Sequence, residues 1–101
     1  MKASATKPSQ ALTLHRLSIR QIVARHHAAN ARVFGSVAQG CDTEGSDLDL
    51  LVDPTRETTL FDIGAIRYEL SALLGVRVEV LTPMALPVKF RASGLSQAIP
   101  L

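Results

Sequence analysis

The 101-residue chain has one cysteine, no tryptophan, one tyrosine and three phenylalanines. The lone Cys41 excludes an intrachain disulfide and fits a reducing compartment, with the cytoplasm as the expected location. Four aromatics, with no basic run between them, exclude the stacking platform of a dedicated single-strand nucleic-acid binder. No apolar tract is long enough to span a bilayer, and Met1–Pro8 lacks the apolar centre of a secretion signal. Acid is missing from one whole region: residues 1–34 hold six Lys or Arg and no Asp or Glu. The remaining 67 residues hold nine acids against five bases, and 37–53 carries Asp42, Glu44, Asp47, Asp49 and Asp53 with no base. The net charge of +2 therefore conceals a basic first third beside an acidic loop.

The length and the 47% hydrophobic content predict a single domain over 11–101, preceded by a flexible lead over 1–10. Thr13 is the expected cap of a helix reaching about Ala29, with Leu17, Ile19, Ile22 and Val23 on its apolar side. Arg32-Val33-Phe34 reads as a short strand entering the Gly35-Ser36 turn, and Gln39–Gly45 as a loop. Leu48–Val52 is the second strand, stopped by Asp53-Pro54. Leu60, Ile63, Ile66, Leu70, Leu73 and Leu74 recur at three and four residues, marking a helix capped by Thr58 or Thr59 and closed by Gly75. Val76–Leu81 alternates as a third strand. The tail is expected to hold a short helix near Pro87–Ala92. These elements predict an α/β (α+β) fold: a small mixed β-sheet with helices packed on one face.

Alternation on the strands locates the chemistry. Leu48, Leu50 and Val52 share one face of the second strand, which leaves Asp47 and Asp49 together on the other. In the third strand Val76, Val78 and Val80 oppose Arg77, Glu79 and Leu81. With the valines against the helices, Glu79 emerges beside the two aspartates. Like charges held beside apolar surface repel and lose hydration, and a divalent cation offsets that cost. Mg²⁺ takes one or two carboxylates together with substrate phosphates, and a two-ion arrangement can clamp both oxygens of a phosphoryl displacement. Asp47, Asp49 and Glu79 are thus the candidate metal-binding and catalytic acids, with Glu79 alternatively accepting a proton. Gly35 and Ser36 are the candidate nucleotide-binding pair, since a glycine turn with free N–H groups and a hydroxyl admits a polyphosphate closely. His26 and His27 are adjacent and cannot share a ligand face, so they read as helix-end surface residues. Cys41 has no evident base and reads as an incidental thiol. Arg77 is expected on the acid side, touching phosphate or forming a surface ion pair.

Gly35-Ser36, ten residues, then Asp47-x-Asp49 and the later strand acid Glu79 resemble the signature of the polymerase-β-like nucleotidyltransferase superfamily. Val33-Phe34-Gly35-Ser36-Val37-Ala38-Gln39-Gly40 followed by Ser46-Asp47-Leu48-Asp49-Leu50-Leu51-Val52 resembles its minimal (MNT, MntA-like) branch. The resemblance implies transfer of AMP from ATP to a hydroxyl acceptor, dependent on Mg²⁺ with up to two ions. It implies that Gly35 and Ser36 hold the triphosphate and that Asp47, Asp49 and Glu79 take the acidic positions. It further implies a HEPN-domain toxin as protein partner and acceptor, in a hetero-oligomer, with neither membrane nor nucleic acid involved. Gln39 stands where many relatives have Arg, and Glu79 where many have Asp. Those departures keep open a second reading, an antitoxin that acts by binding its toxin.

Overall fold

The computed structural model describes residues 6–101. Helix α1 (Pro8–Leu14) leads into α2 (Arg16–Arg25), strand β1 (Ala28–Phe34), a one-turn helix α3 (Ser36–Gln39), β2 (Leu48–Pro54) and α4 (Leu60–Leu74). Strand β3 (Val78–Leu81), a 3₁₀ turn (Pro83–Ala85), α5 (Val88–Gln97) and β4 (Ile99–Pro100) complete the order. The four strands lie side by side as β3-β2-β1-β4. β1 runs antiparallel to both β2 and β4, whereas β2 and β3 are parallel. A parallel pair needs a long crossover, and α4 supplies it.

The core lies between the sheet and the two long helices. Ile19, Ile22 and Val23 of α2 and Ile66, Leu70 and Leu74 of α4 meet Val33, Leu48, Leu50, Val52, Val78 and Val80. Leu48, Leu50 and Val52 have no exposed surface, as alternation requires. Helix α4 begins and ends where its sequence predicts. Thr59 accepts from the Asp62 N–H, Asp62 accepts in return from the Thr59 N–H at 2.8 Å, and Gly75 closes the helix at φ 70°.

Several boundaries differ from the sequence reading, each for a local reason. Pro8, Ser9 and Gln10, expected in the lead, form the first turn of α1; residues 1–5 of that lead lie outside the described residues. Proline at the first helical position costs no hydrogen bond, and the Gln10 side chain accepts from the Lys7 N–H at 3.1 Å. Thr13 is therefore interior, its hydroxyl donating to the Ser9 carbonyl at 3.0 Å. The long helix expected over 13–29 is interrupted at His15 and ends at Arg25. His27 then turns with φ 67°, and 28–31 extends β1 instead of finishing a helix. The pairing with β2 shifts register between Ala29 and Arg32, where Asn30 has φ 54°. Such a bulge hides the period-two pattern that would have marked the strand. β3 starts at Val78, two residues later than expected, and α5 runs five residues beyond Ala92.

The acid-bearing face is covered at one end. Leu51 points to the same side as Asp49 yet has no exposed surface, and it lies outside the helix-side core. The 3₁₀ turn packs on β2 here, and Leu86 just after it is also buried. The Arg91 guanidinium fixes this turn by donating to the carbonyls of Pro83 and Leu86, each at 3.0 Å. β4 then pairs with β1 at Arg32 and Val33, and the Leu101 N–H donates to the Ala31 carbonyl. The tail thus crosses from one edge of the sheet to the other.

Candidate active site

The five acids of 37–53 differ in what they bond to. Asp53 binds Arg32 Nη2 at 2.5 Å and Asn30 Nδ2 at 2.9 Å, which ties β2 to the bulged strand. Asp42 is the one buried charged residue among the described residues, 8% exposed, and its Oδ2 accepts the Ser9 N–H at 2.8 Å. Burial opposes its ionisation, but hydrogen bonds from Ser9 and from its own N–H, with the Lys7 charge nearby, hold the carboxyl below its usual range. Glu44 is exposed at the loop tip. Asp47 and Asp49 are half-buried and accept no hydrogen bond from another described residue.

β2 and β3 bring the predicted acids together by register. Asp49 stands opposite Glu79 in the parallel pair, with Leu50 opposite Val80 next along. Asp49 is also opposite Phe34 on the other neighbour, β1. That pairing places Gly35, the next residue, against the Asp49 side chain. Gly35 has φ 73° and ψ −147°, a region essentially reserved for glycine. A Cβ there would stand 2.5 Å from Asp49 Oδ2, far inside van der Waals contact. The turn and the carboxylate fit one another only while residue 35 has no side chain.

The electrostatics follow from this crowding. Burial, then the charge of Asp47, then that of Glu79 push the Asp49 carboxyl above its usual pKa. Arg77 also lies on this side, its Nε 3.9 Å from Asp47 Oδ1 with the side chain largely in solvent. That separation is a loose surface ion pair, worth little. Ser36 opens α3, where the first N–H groups of a helix lack intrahelical acceptors. Gln39 N–H bonds back to the Gly35 carbonyl at 3.1 Å and Cys41 N–H to the Ser36 carbonyl at 3.0 Å, so the turn is braced from both sides.

Among the described residues no three His, Cys, Asp or Glu side chains form a ready-made metal cage. The carboxylate set instead fits a hard cation held jointly with phosphate oxygens, since Mg²⁺ needs only one or two protein carboxylates. Asp49, with the Gly35 turn against its Oδ2 and Glu79 in register beside it, is the carboxylate such a cation would meet. The histidines lie elsewhere. His26 Nε2 meets Glu69 at 2.7 Å and His27 Nδ1 meets Asp62 at 3.3 Å, which joins the end of α2 to α4. Sequence reasoning passed over two contacts. Gln97 of α5 reaches Gln39 at 3.5 Å, a link that the weakly patterned tail did not suggest. The Asp42–Ser9 bond joins residues 33 positions apart, and no local signal separates Asp42 from its acidic neighbours.

Residues 17–100 match the nucleotidyltransferase domain family. The chain belongs to that family, in its minimal branch. A solved structure provisionally described as a minimal nucleotidyltransferase is 42% identical, covers 92% of this chain and 95% of its own, and superposes with a TM-score of 0.83. A protein of Methanocaldococcus jannaschii, provisionally named protein adenylyltransferase MJ0435, is 39% identical over 60% of this chain and 66% of that protein. The protein adenylyltransferase MntA of Thermococcus cleftensis is 35% identical over 74% of this chain and 73% of its own length. A toxin–antitoxin structure with AMP-PNP shares the fold at a TM-score of 0.68, with 14% identity over 91% of this chain and 70% of that one. Membership in the minimal nucleotidyltransferase family agrees with the α+β architecture. No helix among the described residues is long and apolar enough to cross a membrane.

Proposed function

We propose that this minimal nucleotidyltransferase transfers AMP from ATP to a hydroxyl group of a protein acceptor, as one catalytic unit spanning residues 11–101. The observation carrying this reading is the Gly35–Asp49–Glu79 arrangement, a glycine turn pressed on one carboxylate with a second in register beside it. The protein adenylyltransferase names of two relatives support the reaction class. The AMP-PNP-bound toxin–antitoxin structure of the same fold supports a nucleotide substrate and a toxin partner. In this reading the partner is a HEPN-domain toxin, which also provides the acceptor.

Gly35 lets the triphosphate approach the backbone, and the N–H groups and hydroxyl at Ser36 receive phosphate oxygens. Asp47 and Asp49 would hold Mg²⁺, which would supply charge neutralisation on the phosphoryl oxygens. Glu79 lies next to Asp49 and takes the proton as the acceptor hydroxyl attacks the α-phosphorus. The new O–P bond forms in line as the bond from the α-phosphorus to the bridging oxygen breaks, and pyrophosphate leaves with that electron pair. The chain's own contribution is placement and charge, the usual balance in phosphoryl chemistry.

The competing reading is neutralisation by binding alone, favoured by Gln39, whose amide is turned to Gln97 rather than carrying a charge toward phosphate. Incubation with ATP labelled at the α-phosphate, Mg²⁺ and a candidate HEPN-domain protein separates the two. Label on the partner that disappears with Asp47→Ala and Asp49→Ala supports transfer. No label, with partner binding intact in both variants, leaves binding alone as the function.

A further inference from the structure

We propose that Asp42 is a positioning residue, tethering the loop that ends in Asp47 to the first turn of α1. The proposal rests on the nucleotidyltransferase reading and names a part of the site that touches no substrate. Residues 40–47 are the whole connection between the Gly35-Ser36 turn with α3 and the Asp47-x-Asp49 pair. Within it, Thr43 and Ser46 bond only to each other, through Thr43 N–H to Ser46 Oγ at 2.9 Å and Ser46 N–H to the Thr43 carbonyl at 3.0 Å. Those bonds shape the loop tip but attach it to nothing.

Asp42 makes the attachment. It is the loop acid taken out of solvent, at 8% exposure, and its carboxylate accepts the Ser9 N–H at 2.8 Å. A carboxylate at the start of a helix satisfies an otherwise unpaired N–H and meets the positive end of the helix dipole. The anchor is firm because Pro8, Ala11 and Leu12 of α1 are buried, the last two in the main core. Thr6, just before α1, lines a hollow with Glu44–Asp47 and Gly75–Arg77, so the same N-terminal segment lies along the Asp47 side of the loop. Without the tether, residues 42–47 are held only from their ends, by the Cys41 N–H bond to the Ser36 carbonyl and by β2, and a misplaced ligand group loses much of its value.

Asp62 provides a control matched in kind. It too caps a helix through a backbone N–H at 2.8 Å, but near the opposite end of β2, where His27 and Thr55 lie. ATP is titrated by calorimetry at fixed Mg²⁺ into wild type, Asp42→Asn, Asp42→Glu and Asp62→Asn, with the Tm of each. Amide hydrogen exchange is followed at residues 43–47. Asp42→Asn is expected to weaken Mg²⁺-dependent ATP binding about tenfold, as loss of an orienting partner does at metal sites. It should also speed exchange at 43–47, and Asp42→Glu should recover part of both. Asp62→Asn should lower Tm comparably and change neither ATP affinity nor loop exchange. Equal ATP affinity in Asp42→Asn and Asp62→Asn, or unchanged exchange at 43–47 in Asp42→Asn, overturns the proposal. Wild type that binds no ATP defeats the nucleotidyltransferase reading instead, and loop exchange alone then decides whether the tether exists.

Discussion

The two faces of strand β2 differ in kind. Leu48, Leu50 and Val52 turn toward α2 and α4 and are wholly buried, so that face stabilises the fold. Asp47 and Asp49 turn the other way into mutual repulsion and partial burial, and that face costs stability. β2 and the residue just before it thus carry both what folds the chain and the acids of the candidate site. A functional site of this type is paid for by the surface on its reverse. The acid face also has its own packed end, where Leu51 is sealed beneath the 3₁₀ turn.

The sharpest way to break this comparison is at the core. Leu50→Ala should cost about 2–5 kcal/mol, a large share of the stability of a domain this size, and denaturant unfolding should show the midpoint collapsing. Gly35→Ala comes next. The added Cβ meets Asp49 Oδ2 at 2.5 Å in a backbone region closed to alanine, so about 1–3 kcal/mol of strain is expected. Thermal unfolding should register that loss, and calorimetry should register weakened Mg²⁺-dependent ATP binding in the same variant.

Asp49→Asn should do the reverse. Removing a strained charge should raise stability, by less than about 1 kcal/mol once solvent screening of this half-buried group is allowed for, while nucleotidyl transfer is abolished. A loss of Tm at neutral pH would contradict the assignment of Asp49 as a destabilising charge. The pH dependence follows from the direction of the shift. A carboxyl whose folded pKa is raised costs stability above that pKa, and the cost fades as acid protonates it. The Tm advantage of Asp49→Asn should therefore shrink as pH falls through the raised pKa and vanish below the ordinary carboxyl value.

The smallest effects belong to the capping acids. Burial opposes ionisation of Asp42 but its hydrogen bonds outweigh it, while Asp62 is lowered chiefly by the Thr59 N–H and Glu69 by Arg25 and then His26. Carboxyls with lowered pKa contribute stability above their ordinary values and lose it as pH drops through the lowered ones. Asp62→Asn should lower Tm at neutral pH and progressively less in acid, the opposite trend to Asp49→Asn, and thermal scans across pH resolve the two.

The same contrast explains what could be read in the sequence. β2 and α4 were legible because each carries a simple apolar period, and Thr59 and Gly75 mark the ends of α4; β2 runs two residues past its expected end at Val52. That Asp49 and Glu79 share a face was legible from alternation on the two strands, whereas their register, Asp49 opposite Glu79, was not. β1 was only half legible, since its bulge at Asn30 breaks the alternation. The interruption at His15 carries no glycine or proline to announce it. β4 has two residues and no pattern at all; its pairing is decided by where α5 delivers it. Asp42 was illegible for another reason, because its role depends on a helix 33 positions upstream that the loop sequence does not encode.

The close fit of Gly35 to Asp49 has a consequence for protein engineering. A library of this chain screened for thermal resistance alone would enrich replacements at Asp49 while the backbone angle still favoured glycine at 35. Once Asp49 had become a small residue, position 35 would be freed from the carboxylate though still bound by its backbone angle. Screening for heat and for nucleotide binding together would freeze both positions. Comparing the two enriched pools would thus record, residue by residue, where this fold's durability and its chemistry part company.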